Sequence, residues 1–363
     1  MKKKKILYFV EAFGGGVFTY ICNLANILCN DFDIYVAYGI RKQTPNNFEK
    51  YFDKRINLIY VKNYQREVSL QKDIAAFKEM KEIVNSVKPD IVHLNSSKSG
   101  ILGRLLLKNS KIPTFYTPHG YSFLMTNISP KKKIVYKYFE KIFAFKNITT
   151  IACSFSEYKI TKDLTSNCTY VDNGINLNEF NNIELRPYNN NLVIATLGRI
   201  SFQKNPKLFN KIAEYFPNNR FVWIGDGNLK DELSAPNIEI TGWVDNQDAL
   251  KYLNKADIFV LTSLWEGLPM ALLEAMYMKR LCIVSDVVGN KDVIVNKKNG
   301  FLCDTIDDFK TVMSEVIEKG IDDNITLKAQ QDIKTHYNSK IMANEYKKIY
   351  LNSLKNNKLK NNN

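Results

Sequence analysis

The chain has 363 residues, of which 45% are hydrophobic and 24% are charged. This length suits two domains, and the composition excludes a disordered, collagenous or coiled-coil chain. The formal net charge is +14, and residues 1–185 carry +11 of it. Such an excess favours an anionic partner: nucleic acid, an anionic membrane surface or a phosphate-bearing ligand.

The six cysteines are scattered without a C-x-x-C pair, and the chain has three histidines. This pattern argues against a zinc site or a disulfide framework and predicts a reducing, cytoplasmic location. No uncharged apolar run approaches the roughly 18 residues that a membrane span requires. Lys2 to Lys5 precede a short apolar run, Ile6–Val10, which predicts a first strand rather than a signal peptide.

Short apolar runs alternate with helical patterns through the first half of the chain. The predicted strands are Ile6–Val10, Ile34–Tyr38, Ile56–Val61, Ile91–Leu94, Thr114–Thr117 and Thr150–Cys153, and the predicted helices are Val17–Leu28, Leu70–Val87 and Gly100–Lys108. This alternation predicts a mostly parallel sheet that is covered by helices on both faces.

An asparagine-rich segment separates this half from a second alternating series. The second series has predicted strands at Leu192–Leu197, Arg220–Ile224, Ile238–Thr241, Ile258–Leu261 and Cys282–Val284. The predicted fold is therefore α/β, with two doubly wound Rossmann-like domains facing a central cleft. The predicted division is an N-terminal domain at 1–175, a linker at 176–191, a C-terminal domain at 192–334, a helix at 335–354 and a disordered tail at 355–363.

The loop after the strand Leu192–Leu197 is a candidate anion site, because ligands of such sheets bind at the carboxyl ends of strands. Arg199 and Lys204 place two cations there, while Asn205 and Pro206 have the character of an N-cap and a first helical residue. A diphosphate would be held well by these groups. The alternative is two solvated basic residues in an ordinary turn.

A second candidate loop runs from Trp265 into an apolar helix. Gly267 allows close approach of the backbone to a ligand, and Pro269 is typical of a helix start. Glu274 lies among apolar residues, where a carboxylate is costly unless it is hydrogen-bonded, and ligand hydroxyl groups are suitable donors. Glu266 lies near enough to reach the same pocket. The alternative is a helix with one exposed glutamate.

Two features at predicted strand ends of the first half are candidates for ligand contacts. Gly14 to Gly16 permit close backbone approach, but Thr19 breaks the G-x-G-x-x-G pattern and disfavours a nicotinamide enzyme. His119 lies between Pro118 and Gly120 directly after a strand, which favours a functional over a purely structural histidine.

The residues that combine into a family pattern are spread over nearly the whole chain. They are the glycine loop 14–16, His119, Asn173-Gly174-Ile175, G-R-x4-K-N at 198–205, G-D-G at 225–227, and E-G-L-P with E-x7-E at 266 and 274. Together they resemble the retaining glycosyltransferases of family 4. The resemblance implies the GT-B fold, a sugar-nucleotide donor held mainly by the second domain, an acceptor held by the first, and a last helix crossing back to the first domain.

Carried over to this sequence, the resemblance gives each site residue a role. Arg199 and Lys204 would neutralise the donor diphosphate, and Glu274 would accept hydrogen bonds from the ribose. The remaining implied contacts are Glu266 and His119 at the transferred sugar, Gly15 and Gly16 near the phosphates, the backbone of Gly267, Leu268, Pro269 and Met270 at the diphosphate, and Trp243 and Val244 at the base. The catalytic set is then His119, Glu266, Arg199 and Lys204.

The reaction chemistry agrees with this set. Negative charge develops on the leaving oxygen, and fixed cations and helix N-termini stabilise it without a metal ion or another cofactor. The D-x-D pair Asp31 and Asp33 falls at the wrong end of a strand and is not expected to bind metal. The family often has a glutamate in the loop that holds Asp292 here, so that contact differs from the family pattern.

A basic segment in the first half, residues 129–146, has six lysines and one glutamate among aromatic and aliphatic residues. Lys131, Lys132, Lys133 and Lys137 would lie on an anionic membrane or on the acceptor side. The alternative is a core-facing helix with a solvated lysine face.

The expected function is that of a retaining transferase that moves a sugar to a lipid-linked saccharide. The product would belong to a cell-surface polysaccharide such as capsule or lipopolysaccharide, and the donor expected from the family base rate is a UDP-sugar. The competing hypothesis is a non-catalytic sugar-nucleotide binder or a nucleic-acid binder, although no nucleic-acid motif is present.

Overall fold

The computed structural model describes residues 2–65, 67, 69–189 and 191–362, with the side chains of residues 358 and 360–362 excepted. Contacts divide the chain into two compact units. The first unit comprises Met1–Leu124, Ile128–Asn173 and Ser339–Asn363, and the second comprises Met125–Asn127 and Gly174–Asn338. The first unit is therefore assembled from segments that lie far apart in the sequence.

Each unit is built on one parallel sheet. The first sheet has the order β3-β2-β1-β4-β5-β6-β7, with strands β1 (Lys4–Phe13), β2 (Phe32–Ile40), β3 (Asn57–Tyr60), β4 (Ile91–Asn95), β5 (Thr114–Thr117), β6 (Ile148–Ala152) and β7 (Cys168–Tyr170). The second has the order β10-β9-β8-β11-β12-β13, with β8 (Val193–Leu197), β9 (Arg220–Ile224), β10 (Ile238–Ile240), β11 (Ile258–Leu261), β12 (Leu281–Ser285) and β13 (Phe301–Cys303). In both sheets the order reverses direction beside a central strand, which is the feature that creates a ligand site in doubly wound folds.

Helices follow most of the strands. They are α1 (Gly15–Leu28), α2 (Leu70–Val87), α3 (Ser97–Leu107), α4 (Pro130–Ile142), α5 (Phe155–Lys162), α6 (Pro206–Tyr215), α7 (Asn246–Lys255), α8 (Met270–Tyr277), α9 (Asn290–Val293), α10 (Ile306–Lys319), α11 (Asp323–Thr335) and α12 (Ser339–Asn362). The α/β prediction and the predicted bounds of α2, β5, β9 and β11 are confirmed.

The central strand β1 shows why the first sheet is covered on both faces. Ile6, Tyr8 and Val10 enter one hydrophobic cluster, while Leu7 and Phe9 enter another on the opposite face. Because side chains alternate along a strand, a continuous apolar run supplies both cores at once. The three-residue edge strands β7 and β13 were absent from the sequence prediction, whereas the equally short edge strand β10 was predicted.

The asparagine-rich segment predicted as a linker is held by the second unit. Leu177–Phe180 forms a 3-10 turn, and the side-chain amide of Asn189 donates to Asp257 at 2.8 Å. The Tyr188 hydroxyl donates to the Lys279 carbonyl oxygen at 3.0 Å. The polar composition indicated a segment outside the sheet, but its asparagine side chains form hydrogen bonds with the second unit.

The last helix, α12, differs from its prediction at both ends. Thr335 closes α11, and α12 begins only at Ser339. The predicted disordered tail 355–363 is wrong for the described residues, because the helix continues to Asn362, while Asn363 lies outside them. Extending a formed helix adds one hydrogen bond per residue, so even a polar lysine and asparagine sequence propagates it. Buried Met342, Tyr346 and Tyr350 pack α12 into the first unit's core.

None of the helices among the described residues combines the length and the apolar character needed to cross a bilayer.

Candidate functional site

The loop after β8 is folded as the sequence predicted. Asn205 has the left-handed φ of 52° and accepts a hydrogen bond from the Leu208 amide at 3.4 Å, and Pro206 opens α6. The N-cap and the first helical residue are therefore confirmed. Between β8 and this cap lie Arg199, which is partly exposed, and Lys204 at the end of a 3-10 turn.

The G-D-G segment supports that loop from behind. The amide of Ile200 donates to the Asp226 carbonyl oxygen at 2.9 Å. A Cβ atom on Gly225 or Gly227 would overlap the carbonyl groups of Gly198 and Ile200, respectively. These glycines are therefore required for close backbone packing, and this contact positions the cationic loop.

Lys204 is joined to Glu266. The Lys204 ammonium Nζ lies 2.7 Å from Glu266 Oε1, and the Ser263 hydroxyl donates to the same oxygen at 2.6 Å. Gln203 Nε2 lies 2.9 Å from the Trp265 carbonyl oxygen. The structure thus brings the two predicted loops together and pairs the predicted phosphate cation with the predicted sugar carboxylate.

Helix α8 follows this loop, but it begins one residue later than predicted. Pro269 is its N-cap, and Met270 is its first residue. The amides of the first helical turn lack partners within a helix, so this end is electropositive. Gly289 from the next strand end packs on the Gly267 carbonyl, where a Cβ atom would overlap. Asp292 accepts a hydrogen bond from the Gly289 amide at 3.2 Å and so caps α9.

Glu274 is a buried carboxyl group on α8. It is 5% exposed, and among the described residues its carboxylate has no hydrogen-bond partner. Burial, with a smaller contribution from the negative Glu179, raises the pKa of Glu274 to about 8. A buried carboxyl group without a donor is suited to accept hydrogen bonds from a ligand.

Two further residues of the second unit, Trp243 and Val244, are those predicted to contact the base. Trp243 follows β10 and is 51% exposed, while Val244 is partly buried. Asn246 at the start of α7 donates to Glu179 at 2.7 Å. An exposed indole beside a strand end offers a flat apolar face for a nucleobase.

The predicted glycines of the first unit lie in the first turn of α1. Gly15 and Gly16 are exposed, and Gly15 has a φ of 55°. The helix begins at Gly15 rather than at Val17. Their exposed amides lie at the N-terminus of a helix, where anions are stabilised.

His119 also lies at a strand end of the first unit. It has a φ of 55° and is partly exposed, and burial lowers its pKa to about 3. The imidazole is therefore neutral at physiological pH. Its Nε2 atom lies 3.0 Å from Asn95 Oδ1.

Sequence reasoning missed Asn95 and Glu157 in this region. Asn95 is fully buried at the end of β4, and Glu157 accepts from the Gly120 amide at 2.7 Å and from the Cys153 amide at 2.8 Å. A polar residue that ends an apolar strand would have been the signal for Asn95. Glu157 gave no comparable signal, since glutamate is common in a first helical turn.

The basic segment forms α4, whose apolar residues do not face the core. Ser129 caps it, and the predicted residues Lys131, Lys132 and Lys137 are exposed, with Lys133 partly buried. Exposed large apolar residues accompany them: Ile134 (69%), Val135, Tyr136, Tyr138, Phe139 and Ile142. The alternative of a core-facing helix is therefore wrong for this surface.

One buried ion pair anchors α4. Glu140 is the buried residue of the helix, and its Oε2 atom accepts from Arg104 at 2.8 Å. The Tyr116 hydroxyl donates to Oε1 at 3.1 Å. Both charges are nearly inaccessible to solvent, with side-chain exposures of 1% and 7%.

Two protein-family models match the chain. Residues 14–179 match "Glycosyltransferase Family 4", and residues 178–336 match "Glycosyl transferases group 1". The UDP-Gal:alpha-D-GlcNAc-diphosphoundecaprenol alpha-1,3-galactosyltransferase of Escherichia coli is 31% identical over 83% of this chain and 85% of its own. The fold and strand-end site define a GT-B glycosyltransferase. The chain belongs to the group 1 glycosyltransferases with a family 4 N-terminal domain.

Two other proteins extend the comparison. The capsular polysaccharide biosynthesis glycosyltransferase CapM of Staphylococcus aureus is 25% identical over 81% of this chain and 88% of its own. The crystal structure of HepE from Anabaena, in complex with UDP and glucose, superposes with a TM-score of 0.77 over 95% of this chain and 99% of that chain at 15% identity. That likeness supports the fold.

Proposed function

We propose that this glycosyltransferase moves a hexose or N-acetylhexosamine from a UDP-sugar to a lipid-linked saccharide, with retention of the anomeric configuration. The observation that carries the proposal is the joined pair of loops in which Lys204, Glu266 and the N-terminus of α8 meet. The similarity to a relative named for UDP-galactose and a diphosphoundecaprenol-linked acceptor supports the substrate classes.

The proposed chemistry follows from the charges of the second unit. Cleaving the bond between the anomeric carbon and the diphosphate moves an electron pair to the leaving phosphate oxygen. Arg199, Lys204 and the amides near Met270 stabilise that charge, so no metal ion or other cofactor is needed in this proposal. Glu274 accepts hydrogen bonds from the ribose, and Trp243 with Val244 contacts the base.

The remaining proposed contacts concern the sugar and phosphates. Glu266 binds hydroxyl groups of the transferred sugar, and His119 accepts a hydrogen bond from a substrate hydroxyl. Exposed Gly15 and Gly16 offer backbone amides to phosphate oxygens. Retention follows from front-side attack, in which the leaving phosphate oxygen takes the proton of the incoming hydroxyl group.

We further propose that α4 binds an anionic membrane at which the lipid-linked acceptor is presented. Its exposed lysines attract anionic headgroups, and its exposed Ile134, Tyr138 and Phe139 can enter the interface. The opposite charges of the helix and of the lipid surface favour this occupant. The enzyme would then work at the cytoplasmic face of the membrane.

A donor panel tests the transferase proposal. The purified chain is incubated with UDP-, GDP- and ADP-sugars and with undecaprenyl-diphosphate-linked acceptors, and nucleotide release and product are followed by chromatography. We expect UDP release coupled to an α-linked product, unchanged by EDTA. An inverted product contradicts retention, and loss of transfer in EDTA contradicts metal independence. Tight donor binding without release would instead identify a sugar-nucleotide-binding protein.

A further inference from the structure

The hydrogen bond between His119 and Asn95 determines which nitrogen of the imidazole can carry the proton. Asn95 closes β4 and pairs in register with Thr117 of β5, two residues before His119. Its Oδ1 atom lies 3.0 Å from His119 Nε2. Because Asn95 is 0% exposed, solvent does not reach its Oδ1 atom.

The orientation of the Asn95 amide is set by a second contact. Its Nδ2 atom donates to the backbone carbonyl oxygen of His93 at 3.3 Å. Reversing the amide would place two carbonyl oxygens against one another, which is unfavourable in a buried site. Oδ1 must therefore face His119.

A carbonyl oxygen accepts hydrogen bonds only, so Nε2 of His119 must carry the proton. Because burial lowers the pKa of His119 to about 3, the ring is neutral and Nδ1 retains a lone pair. No hydrogen-bond partner for Nδ1 is present among the described residues, and the side chain is partly exposed. The free nitrogen is thus an acceptor.

The backbone around His119 is held as firmly as the ring. Glu157, which is fully buried, accepts the Gly120 amide at 2.7 Å. The Tyr20 ring packs edge-on against the imidazole, with 4.5 Å between ring centroids. His119 occupies a left-handed conformation that is uncommon for a non-glycine residue, and these contacts keep it there.

We propose that Asn95 is a positioning residue, which fixes His119 as the Nε2–H tautomer so that Nδ1 accepts a hydrogen bond from a substrate hydroxyl group. The tautomer follows from the structure of the chain alone. Its catalytic consequence rests on the proposed function, in which His119 contacts substrate.

NMR of histidine side-chain nitrogens tests the tautomer directly. The chain has three histidines, so ¹⁵N-histidine labelling with His93→Gln, His119→Gln and His336→Gln variants assigns the signals. At pH 8 we expect wild-type His119 to be protonated on Nε2 and unprotonated on Nδ1. Asn95→Leu removes the acceptor at similar volume and should produce a tautomer mixture. Asn95→Asp retains an acceptor oxygen and should restore the Nε2–H form.

Kinetics test the consequence. We expect Asn95→Leu to lower kcat/KM by about 10- to 100-fold, the range found when the hydrogen-bonding partner of a metal-bound histidine is removed, with partial rescue by Asn95→Asp. Thr114→Val is the matched control, because it removes a buried side-chain hydrogen bond at the other end of the neighbouring strand β5. This control should keep the wild-type tautomer and rate.

The outcomes separate the inference from the proposed function. A wild-type Nδ1–H tautomer, or an Nε2–H tautomer retained in Asn95→Leu, overturns the positioning role whatever the rate. A changed tautomer with an unchanged rate also overturns it. If no donor is turned over, the proposed transfer fails, while the NMR result still decides whether Asn95 sets the tautomer. With an active donor, a deoxy analogue lacking the bound hydroxyl should slow wild type but not slow Asn95→Leu further.

Discussion

Lys204 Nζ and Glu266 Oε1 are 2.7 Å apart, in a pair whose side chains are only 16% and 8% exposed. The cation proposed to bind the diphosphate is therefore paired with the carboxylate proposed to bind the sugar. If Lys204 binds the diphosphate as proposed, the diphosphate competes with Glu266 for the ammonium group. The pair keeps Lys204 in place before substrate arrives, at some cost in donor affinity.

Removing the charge of Glu266 should separate its effect on UDP binding from its effect on sugar transfer. We expect Glu266→Gln to bind UDP about 3- to 10-fold more tightly, because Lys204 loses its competing anion, a change of about 1 kcal/mol. Sugar transfer should fall at least 10-fold, since the sugar hydroxyls lose a charged acceptor. Calorimetry with UDP and a transfer assay measure both. Glu239→Gln, in an ion pair with Arg220, is the control, and weaker UDP binding by Glu266→Gln would contradict the competition.

Glu274 should make the protein less stable as pH rises. Its pKa in the folded chain is about 8, above the ordinary value of 4.5, so folding favours the protonated form. The stabilising contribution is fully present below pH 4.5 and is lost as pH rises towards 8. Glu274→Gln, which mimics the protonated group, should gain about 3 kcal/mol at pH 7 relative to wild type and little at pH 4.5. Thermal unfolding across this pH range measures the difference.

The same variant should be a poorer enzyme. Two ribose hydroxyl groups donating to Glu274 would favour its ionised form, whose two oxygens both accept, whereas the amide of glutamine has one acceptor oxygen, so donor KM should rise as stability increases. A Glu274→Gln variant with lower melting temperature at pH 7 would show that the buried carboxyl group is not destabilising.

Neutralising three lysines of α4 should weaken membrane binding. We expect the Lys131→Gln, Lys132→Gln, Lys133→Gln variant to lose at least 10-fold in affinity for vesicles containing 30% phosphatidylglycerol, because each lysine near the surface contributes about 1 kcal/mol. Flotation assays at low and high salt measure the affinity for the vesicles. The control replaces Lys230, Lys255 and Lys298, exposed lysines of the second unit. Equal flotation of both triple variants would contradict a role for α4.

The buried Arg104 and Glu140 pair should respond differently to single and double substitution. Glu140→Ala leaves a buried guanidinium without its anion, and we expect a loss of about 3–5 kcal/mol in unfolding free energy. Replacing both residues by methionine removes both charges and should cost less than the single change. Urea unfolding measures both variants, and a double variant less stable than Glu140→Ala would contradict this expectation.

Gly225 should be intolerant of a side chain for a steric reason. A methyl group at Gly225 would overlap the Gly198 carbonyl, so Gly225→Ala should displace the loop that carries Arg199 and lower transfer at least 10-fold. Gly242→Ala is the matched control, because Gly242 also has a positive φ but has open space around its Cβ position. A comparable loss of activity in both variants would mean that backbone strain, and not overlap with the Gly198 carbonyl, causes the loss.

The alternation of apolar runs predicted the α/β fold because buried parallel strands are short, continuous and separated by helices. It gave the limits of β9 and β11 directly. Edge strand β13 was missed although β10 of the same length was predicted, because Phe301–Cys303 lacks the apolar–polar alternation of Ile238–Ile240. The end of α12 was missed because polar residues can extend a helix that other segments have nucleated.

The site was predictable to the level of loops and residue types. Asn205 and Pro206 have local signals that do not depend on the rest of the fold. The pairing of Lys204 with Glu266 has no such local sequence signal, because it depends on how β8 and β11 lie side by side in the sheet. The tautomer of His119 depends likewise on β4 and β5, which bring Asn95 beside it.

Helix α12 also constrains how the chain is made. Tyr346 and Tyr350 complete the core of the first unit, yet they follow the whole of the second unit in the sequence. The second unit, almost entirely within Gly174–Asn338, can finish its core while the first still lacks a helix. The N-terminal core therefore depends on a segment made last of the two units, and a chain truncated before residue 339 lacks the helix that completes it.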